Sequence, residues 1–176
     1  MTRAAQSWLA AGFLALAASH ALGTNTLGTT CSVSAVTLPF GSYNTFQTAP
    51  TDTTGNISVT CSGVAGQSVV YAIGLSSGYG TFVQRRMRSS GSSLNYNIYT
   101  TAARTAIWGD GSGGSVVVSD GYTLGAPSAA RSYPGHGRPP AHQTVTRNYP
   151  VYGRIPALQK VPVQLYSDTI VVTLTF

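Results

Sequence analysis

Apolar and polar residues alternate with a period of two along most of this chain, as they do in strands with one buried face. Ile57, Val59 and Cys61 alternate cleanly, and so do Val69, Tyr71, Ile73 and Leu75, up to an interruption at Gly78 and Gly80. Leu94, Tyr96 and Ile98 point one way, with Asn95, Asn97 and Tyr99 on the opposite face. The clearest strand is the last: Ile170, Val172, Leu174 and Phe176 share one face, and Val171, Thr173 and Thr175 the other. An apolar aromatic at the end of a core strand needs something to hold it down, because chain ends ordinarily fray. Near the other end, Cys31, Val33 and Ala35 alternate, then Val36, Leu38 and Phe40 follow in the opposite phase. That slip of one residue predicts a β-bulge or kink. Val116 and Val118 fit a short strand, and Val145 to Tyr152 a longer one, in which Pro150 argues for a sheet edge or a strand start.

Turn chemistry separates these runs. Gly41-Ser42-Tyr43-Asn44 reads as a turn, the polar stretch from there to Gly55 as a loop, and Gly109 to Gly114 as a Gly-rich turn holding Asp110. Residues 120–144, rich in Pro and Gly, read as one long surface loop. Seven or so short strands with turns between them predict an all-β sandwich. No internal repeat is present, and nothing divides residues 31–176 into two domains.

Composition supports that class. The chain has 176 residues, 20 of them Gly, and only 8% are charged. Glu is absent and Lys160 is the single Lys, so the wet face that long helices carry is missing. The first 21 residues read as an export signal: Arg3 gives the positive start, Trp8 to Ala18 is an apolar run of 11 residues, and Ser19-His20-Ala21 fits a cleavage site before Leu22. The run is too short to span a bilayer as a helix, and no later stretch approaches that length. An N-terminal membrane anchor or a buried helix is the alternative. Export makes Cys31 and Cys61 a candidate disulfide; two buried thiols are the alternative. The net charge of +6 raises nucleic-acid binding, but the basic residues are thinly spread apart from Arg85, Arg86 and Arg88, which read as a solvated loop or edge. Attraction to an acidic surface polysaccharide explains the charge better.

Enzymatic and metal chemistry find little support. Without Glu, a carboxylate pair would have to come from Asp52, Asp110, Asp120 and Asp168. Asp110 and Asp168 have plainer places, in a turn and at the opening of the last strand. There is no Gly-x-Ser-x-Gly elbow, and His136 and His142 fall in the Pro/Gly-rich loop, a poor place to hold a base in register. No zinc spacing is present. The expectation is a non-enzymatic protein with no cofactor and no metal.

Five stretches in order resemble the spore coat protein U domain family, which includes the subunits of archaic, Csu-type chaperone–usher pili. They are Cys31-Ser-Val-Ser-Ala35 with Phe40-Gly-Ser-Tyr43, Gly55-Asn-Ile-Ser-Val-Thr-Cys61, Leu94-Asn-Tyr-Asn-Ile-Tyr99, Trp108-Gly-Asp110, and Tyr152-Gly-Arg-Ile-Pro156 leading into Tyr166–Phe176. The resemblance implies an incomplete immunoglobulin-like sandwich that lacks its last strand. A periplasmic chaperone would fill the gap with a strand, an outer-membrane usher would exchange it, and the N-terminal extension of another subunit would replace it. Ile170, Val172, Leu174 and Phe176 would then line the acceptor groove. The chain's own extension, residues 22–30, is a weak donor, because Leu22 and Leu27 are its only large apolar residues. Two readings follow: a structural subunit of a surface pilus or coat, and a tip adhesin or free-standing glycan-binding module. The long loop, with Tyr122 and Tyr133, is the adhesive candidate of the second.

Overall fold

The computed structural model describes residues 9–18, 28–125 and 141–176. Ten strands and no helix make up the described residues: β1 (Leu9–Ala18), β2 (Thr30–Ala35), β3 (Leu38–Asn44), β4 (Thr51–Val64), β5 (Ser68–Leu75), β6 (Arg85–Ser89), β7 (Ser92–Tyr99), β8 (Val118–Thr123), β9 (His142–Ile155) and β10 (Tyr166–Thr175). The cleanest alternations became the most regular strands. On β10, Ile170, Val172 and Leu174 are buried while Val171, Thr173 and Thr175 face out.

The strands form two layers that meet at one corner. The first runs β2–β4–β9–β7, and the second β3–β1–β10–β5–β8. The β6–β7 hairpin makes the corner: β7 pairs with β9 through Asn97 to Tyr99, and β6 touches the start of β10 at Arg88↔Ser167. Ile57, Val59, Val151 and Ile155 from one layer and Ile73, Leu75, Ile170 and Val172 from the other fill the space between them. Trp108 is buried in the same core, and its indole N–H donates to the Ile73 carbonyl at 2.9 Å, so its one polar group is satisfied there. This is the expected all-β sandwich of two layers.

Several local expectations change. The phase slip between Ala35 and Val36 is not a bulge within one strand. The chain leaves β2 in the first layer and enters β3 in the second, so the buried face switches as the strand changes sheets. Residues 41–44, expected as a turn, continue β3; Gly41 takes a left-handed φ of 69° inside it, where no Cβ need be accommodated. β4 starts at Thr51, inside the expected loop, because its polar first residues pair with the end of β9 (Asp52↔Arg154). The Arg154 guanidinium holds the Asp52 carboxylate at 2.7 and 2.8 Å, and Arg104 adds a contact at 3.3 Å. Residues 120–123 belong to β8 and residues 142–144 to β9, which shortens the expected loop at both ends. Pro150 suits its place, since β9 pairs with β7 only over Tyr152 to Arg154 and is an edge before that.

Arg85 is the largest departure. It was expected on a solvated edge, yet it is fully buried. Its guanidinium donates to the Ser76 carbonyl, the Trp108 carbonyl at 2.7 Å and the Asn97 Oδ1 at 2.7 Å, while Nε also reaches the Ser76 carbonyl. Burial lowers its pKa, but the surrounding carbonyls take up its donors. Alternation explains the position: Arg85 and Met87 share the inward face of β6, and Arg86 and Arg88 the outward face.

Candidate strand-acceptor gap

Ile170, Val172 and Leu174 sit on the inward face of β10 and are buried, and Phe176 packs half-buried against the same core. The facing wall is β3, whose Leu38, Phe40 and Tyr43 are buried. Phe40 meets Tyr96 of β7 edge-on, with ring centroids 6.0 Å apart. The Tyr43 hydroxyl donates to the Pro156 carbonyl at 2.8 Å and accepts from the Gln159 N–H at 2.8 Å, which ties the end of β3 to the segment before β10. The turn chemistry of Gly41-Ser42 masks the place of Tyr43 in the strand. The buried triplet at 38, 40 and 43 breaks strict alternation by one residue.

β3 and β10 do not pair with each other; they are one strand apart, and β1 lies between them. β1 runs parallel to β10 from Gly12↔Tyr166 to Ala18↔Val172. It runs antiparallel to β3 from Leu9↔Asn44 to Leu14↔Leu38, with a register shift between Gly12 and Phe13. Only Gly12, Phe13 and Leu14 have partners on both sides. Beyond Val172, the flank of β10 that faces the gap has no ladder partner among the described residues, while its other flank pairs with β5 from Val172↔Leu75 to Thr175↔Ala72. The second layer is therefore complete only because residues 9–18 close it.

The floor of the gap is fixed from below. The Tyr96 hydroxyl donates to Asp168 on β10 at 2.7 Å, and the Tyr79 and Thr169 amides donate to the same carboxylate. Burial raises the pKa of Asp168, and burial with the nearby carboxylate raises that of Tyr96. The disulfide of Cys31 and Cys61 joins β2 to β4 at directly opposed positions, with Cα atoms 4.1 Å apart. It staples the first layer and lies away from the gap.

The remaining sequence candidates scatter. Leu22 and Leu27, the weak donor segment, and Tyr133 and His136 lie outside the described residues. Tyr122 lies on β8, half-buried rather than on a loop. Its ring meets Tyr71 edge-on, and the Arg147 guanidinium sits 4.4 Å from its centroid. Around it, Tyr149 donates to Asp120 at 2.6 Å, Arg147 donates to the same carboxylate at 2.8 Å, and the Tyr71 and Tyr149 hydroxyls are bonded to each other. That cluster bridges β5 and β8 to β9 and is occupied with its own partners. Among the described residues no group of three or more His, Cys, Asp and Glu is placed to hold a metal ion. Among the described residues no helix is long and apolar enough to cross a membrane.

The family model of the Spore Coat Protein U domain matches residues 17–173. No curated protein matches the chain. Among solved structures, similarity is found to a chaperone–tip adhesion subunit pre-assembly complex from the archaic chaperone–usher Csu pili of Acinetobacter baumannii, at 21% identity and a TM-score of 0.49. The match covers 84% of this chain and 40% of that one, so this chain spans less than half of its length. With most of its residues inside the family match, the chain belongs to the spore coat protein U domain family.

Proposed function

We propose that this chain is a structural subunit of a surface pilus or coat, assembled by the chaperone–usher route, in which the gap between β3 and β10 accepts a strand from another molecule. One observation carries the reading: the strand that closes the second layer, residues 9–18, falls inside the segment that reads as a removable export signal. Cleavage before Leu22 takes β1 away and leaves β3 and β10 facing each other across one empty strand position. Two rows of backbone donors and acceptors then lose their partners, and each such group left unpaired away from water costs about 1–3 kcal/mol. The buried side chains at 38, 40, 170 and 172 flank that position. An edge of this kind binds another strand or aggregates.

The partners that fit are a periplasmic chaperone, an outer-membrane usher and other subunits, each engaged by backbone pairing with alternate side chains in the gap. The chain reaches the cell surface by way of the periplasm. This role requires no catalytic residue, cofactor or metal. A tip adhesin or free-standing binding module of the same fold is the second reading. It is favoured by the poverty of residues 22–30, where Leu22 and Leu27 are the only large apolar side chains available to a neighbour.

The test is the chain from Leu22 onward, refolded without its first 21 residues. Alone it should bind a hydrophobic dye and melt early. A synthetic peptide of alternating apolar residues should raise its melting temperature, and Ile170→Asp should abolish that rise. A truncated chain that is monomeric, dye-silent and as stable as the full chain would refute the proposal.

A further inference from the structure

The charge of this chain is compensated unevenly. Asp52 takes Arg154 and Arg104, and Asp120 takes Arg147. Asp110 is bonded to Ser112, and Asp168 is enclosed by Tyr96 and backbone amides, with the charges of Arg85 and Arg88 within electrostatic reach. Arg85 spends its donors inside the core. Arg86 and Arg88 are exposed, two positions apart on the outward face of β6, and neither forms an ion pair with a carboxylate among the described residues. The Arg86 guanidinium donates to the Gln84 side-chain carbonyl at 3.2 Å.

These two guanidinia do not sit on a loose edge. The inward residues of their hairpin, Arg85, Met87, Leu94 and Tyr96, are all buried, so the backbone beneath them is rigid. The hairpin end is tied down by Gln164, which accepts from Ser89 at 2.9 Å and reaches Ser92 at 3.4 Å. Tyr79, 39% exposed, is fixed by the hydrogen bond that its backbone N–H donates to Asp168, and the Arg88 guanidinium stacks on its ring. Tyr79, Arg86, Arg88, Ser89, Ser92 and Ser93 enclose an open hollow of about 410 Å³. Side-chain freedom there is already reduced before any ligand arrives, which favours binding.

We propose that this hollow is a binding site for a carboxylated polysaccharide. The planar forks of Arg86 and Arg88 match carboxylates. Ser93 offers a hydroxyl to sugar hydroxyls, and the Ser89 oxygen, whose O–H is given to Gln164, can still accept there. Nucleic acid fits less well, because its binding rests on many cations tracking a line of phosphates and only two are available here. The site lies across β10 from the gap: Arg88 pairs with Ser167 through β6, and β1 occupies the other flank of β10. Strand uptake and glycan binding thus use opposite flanks of β10, and this inference does not depend on the proposed assembly.

The test uses the full chain with polygalacturonate, a neutral dextran, dextran sulfate (anionic but free of carboxylates) and a DNA duplex as probes, measured by surface-immobilised binding at about physiological salt. Polygalacturonate should bind, with dextran and DNA at least tenfold weaker. The double variant Arg86→Gln and Arg88→Gln should lose at least tenfold of the polygalacturonate affinity at an unchanged melting temperature. Lys160→Gln, which removes the same kind of charge elsewhere, should lose less than twofold. Equal losses from Lys160→Gln and the arginine pair would mean diffuse charge attraction and overturn the proposal. DNA or dextran sulfate binding as tight as polygalacturonate, lost with the same arginines, would overturn the assignment to carboxylated glycan.

Discussion

Neighbouring arginines on one strand have opposite places in the energetics. Arg85→Met would strand the Ser76 and Trp108 carbonyls in the core and remove charged hydrogen bonds. A loss of about 3 kcal/mol is expected, because groups left unpaired in a core carry their full desolvation cost. Arg86→Met, on the wet face, should shift stability by less than about 0.5 kcal/mol. Chemical denaturation of the two variants gives the comparison directly. Reduction of the Cys31–Cys61 bond, or Cys61→Ser, frees a loop of 30 residues. The chain-entropy model sets the loss at roughly 3–4 kcal/mol. The hydrogen bond from Arg154, then the charge of Arg104, hold the pKa of Asp52 below its ordinary value. A depressed folded pKa stabilises above the unfolded pKa and loses that contribution as pH falls through the folded value. Acid should therefore weaken the β4–β9 pairing below about pH 4, and Asp52→Asn should flatten that part of the stability curve in melts taken between pH 6 and pH 2.

At the scale of the elements, the gap is the decisive feature, and its two walls differ in how far the sequence revealed them. β10 was legible residue by residue, because four apolar side chains alternate without interruption. β3 was half hidden: Leu38 and Phe40 were placed in a strand, but Tyr43 was assigned to a turn because Gly41-Ser42 carries turn chemistry. Only the pairing of β1 with β3 and β10 shows that residues 38–44 form the second wall. Arg85 was misread for a similar reason, since a run of arginines suggests solvent, while the period of two puts every other one inside. The change of sheet at Val36 could be seen as a slip of phase, but not as a crossing between layers, because that depends on contacts distant in sequence. The expected long loop is shorter at both ends because β5 pairs with β8 and β4 with β9. Its ends are close: the Ala65 amide bonds to the Ala141 carbonyl and the Gly66 amide to the Leu124 carbonyl. Replacing residues 126–140 by a short Gly/Ser linker should therefore leave the melting temperature within a few degrees, because loop closure depends only weakly on length. If that variant folds but no longer attaches to surfaces, the adhesin reading gains; if attachment is unchanged, it fails.

For the whole molecule, the two sandwich layers depend unequally on the rest of the chain. The first layer is covalently stapled and complete in its own strands. Among the described residues the second is closed by residues 9–18; in the proposed assembly a partner strand takes their place. Mutations in the gap should act on assembly before they act on monomer chemistry. Leu174→Asp should deplete the chain from the cell surface while Cys31 and Cys61 still pair. The most direct measurement is a denaturing gel of protein sheared from the native cell surface, loaded with and without boiling and probed for this chain. Strand exchange predicts a ladder of detergent-resistant multimers that collapses to one monomer band on boiling. A single monomer band in both lanes would contradict it.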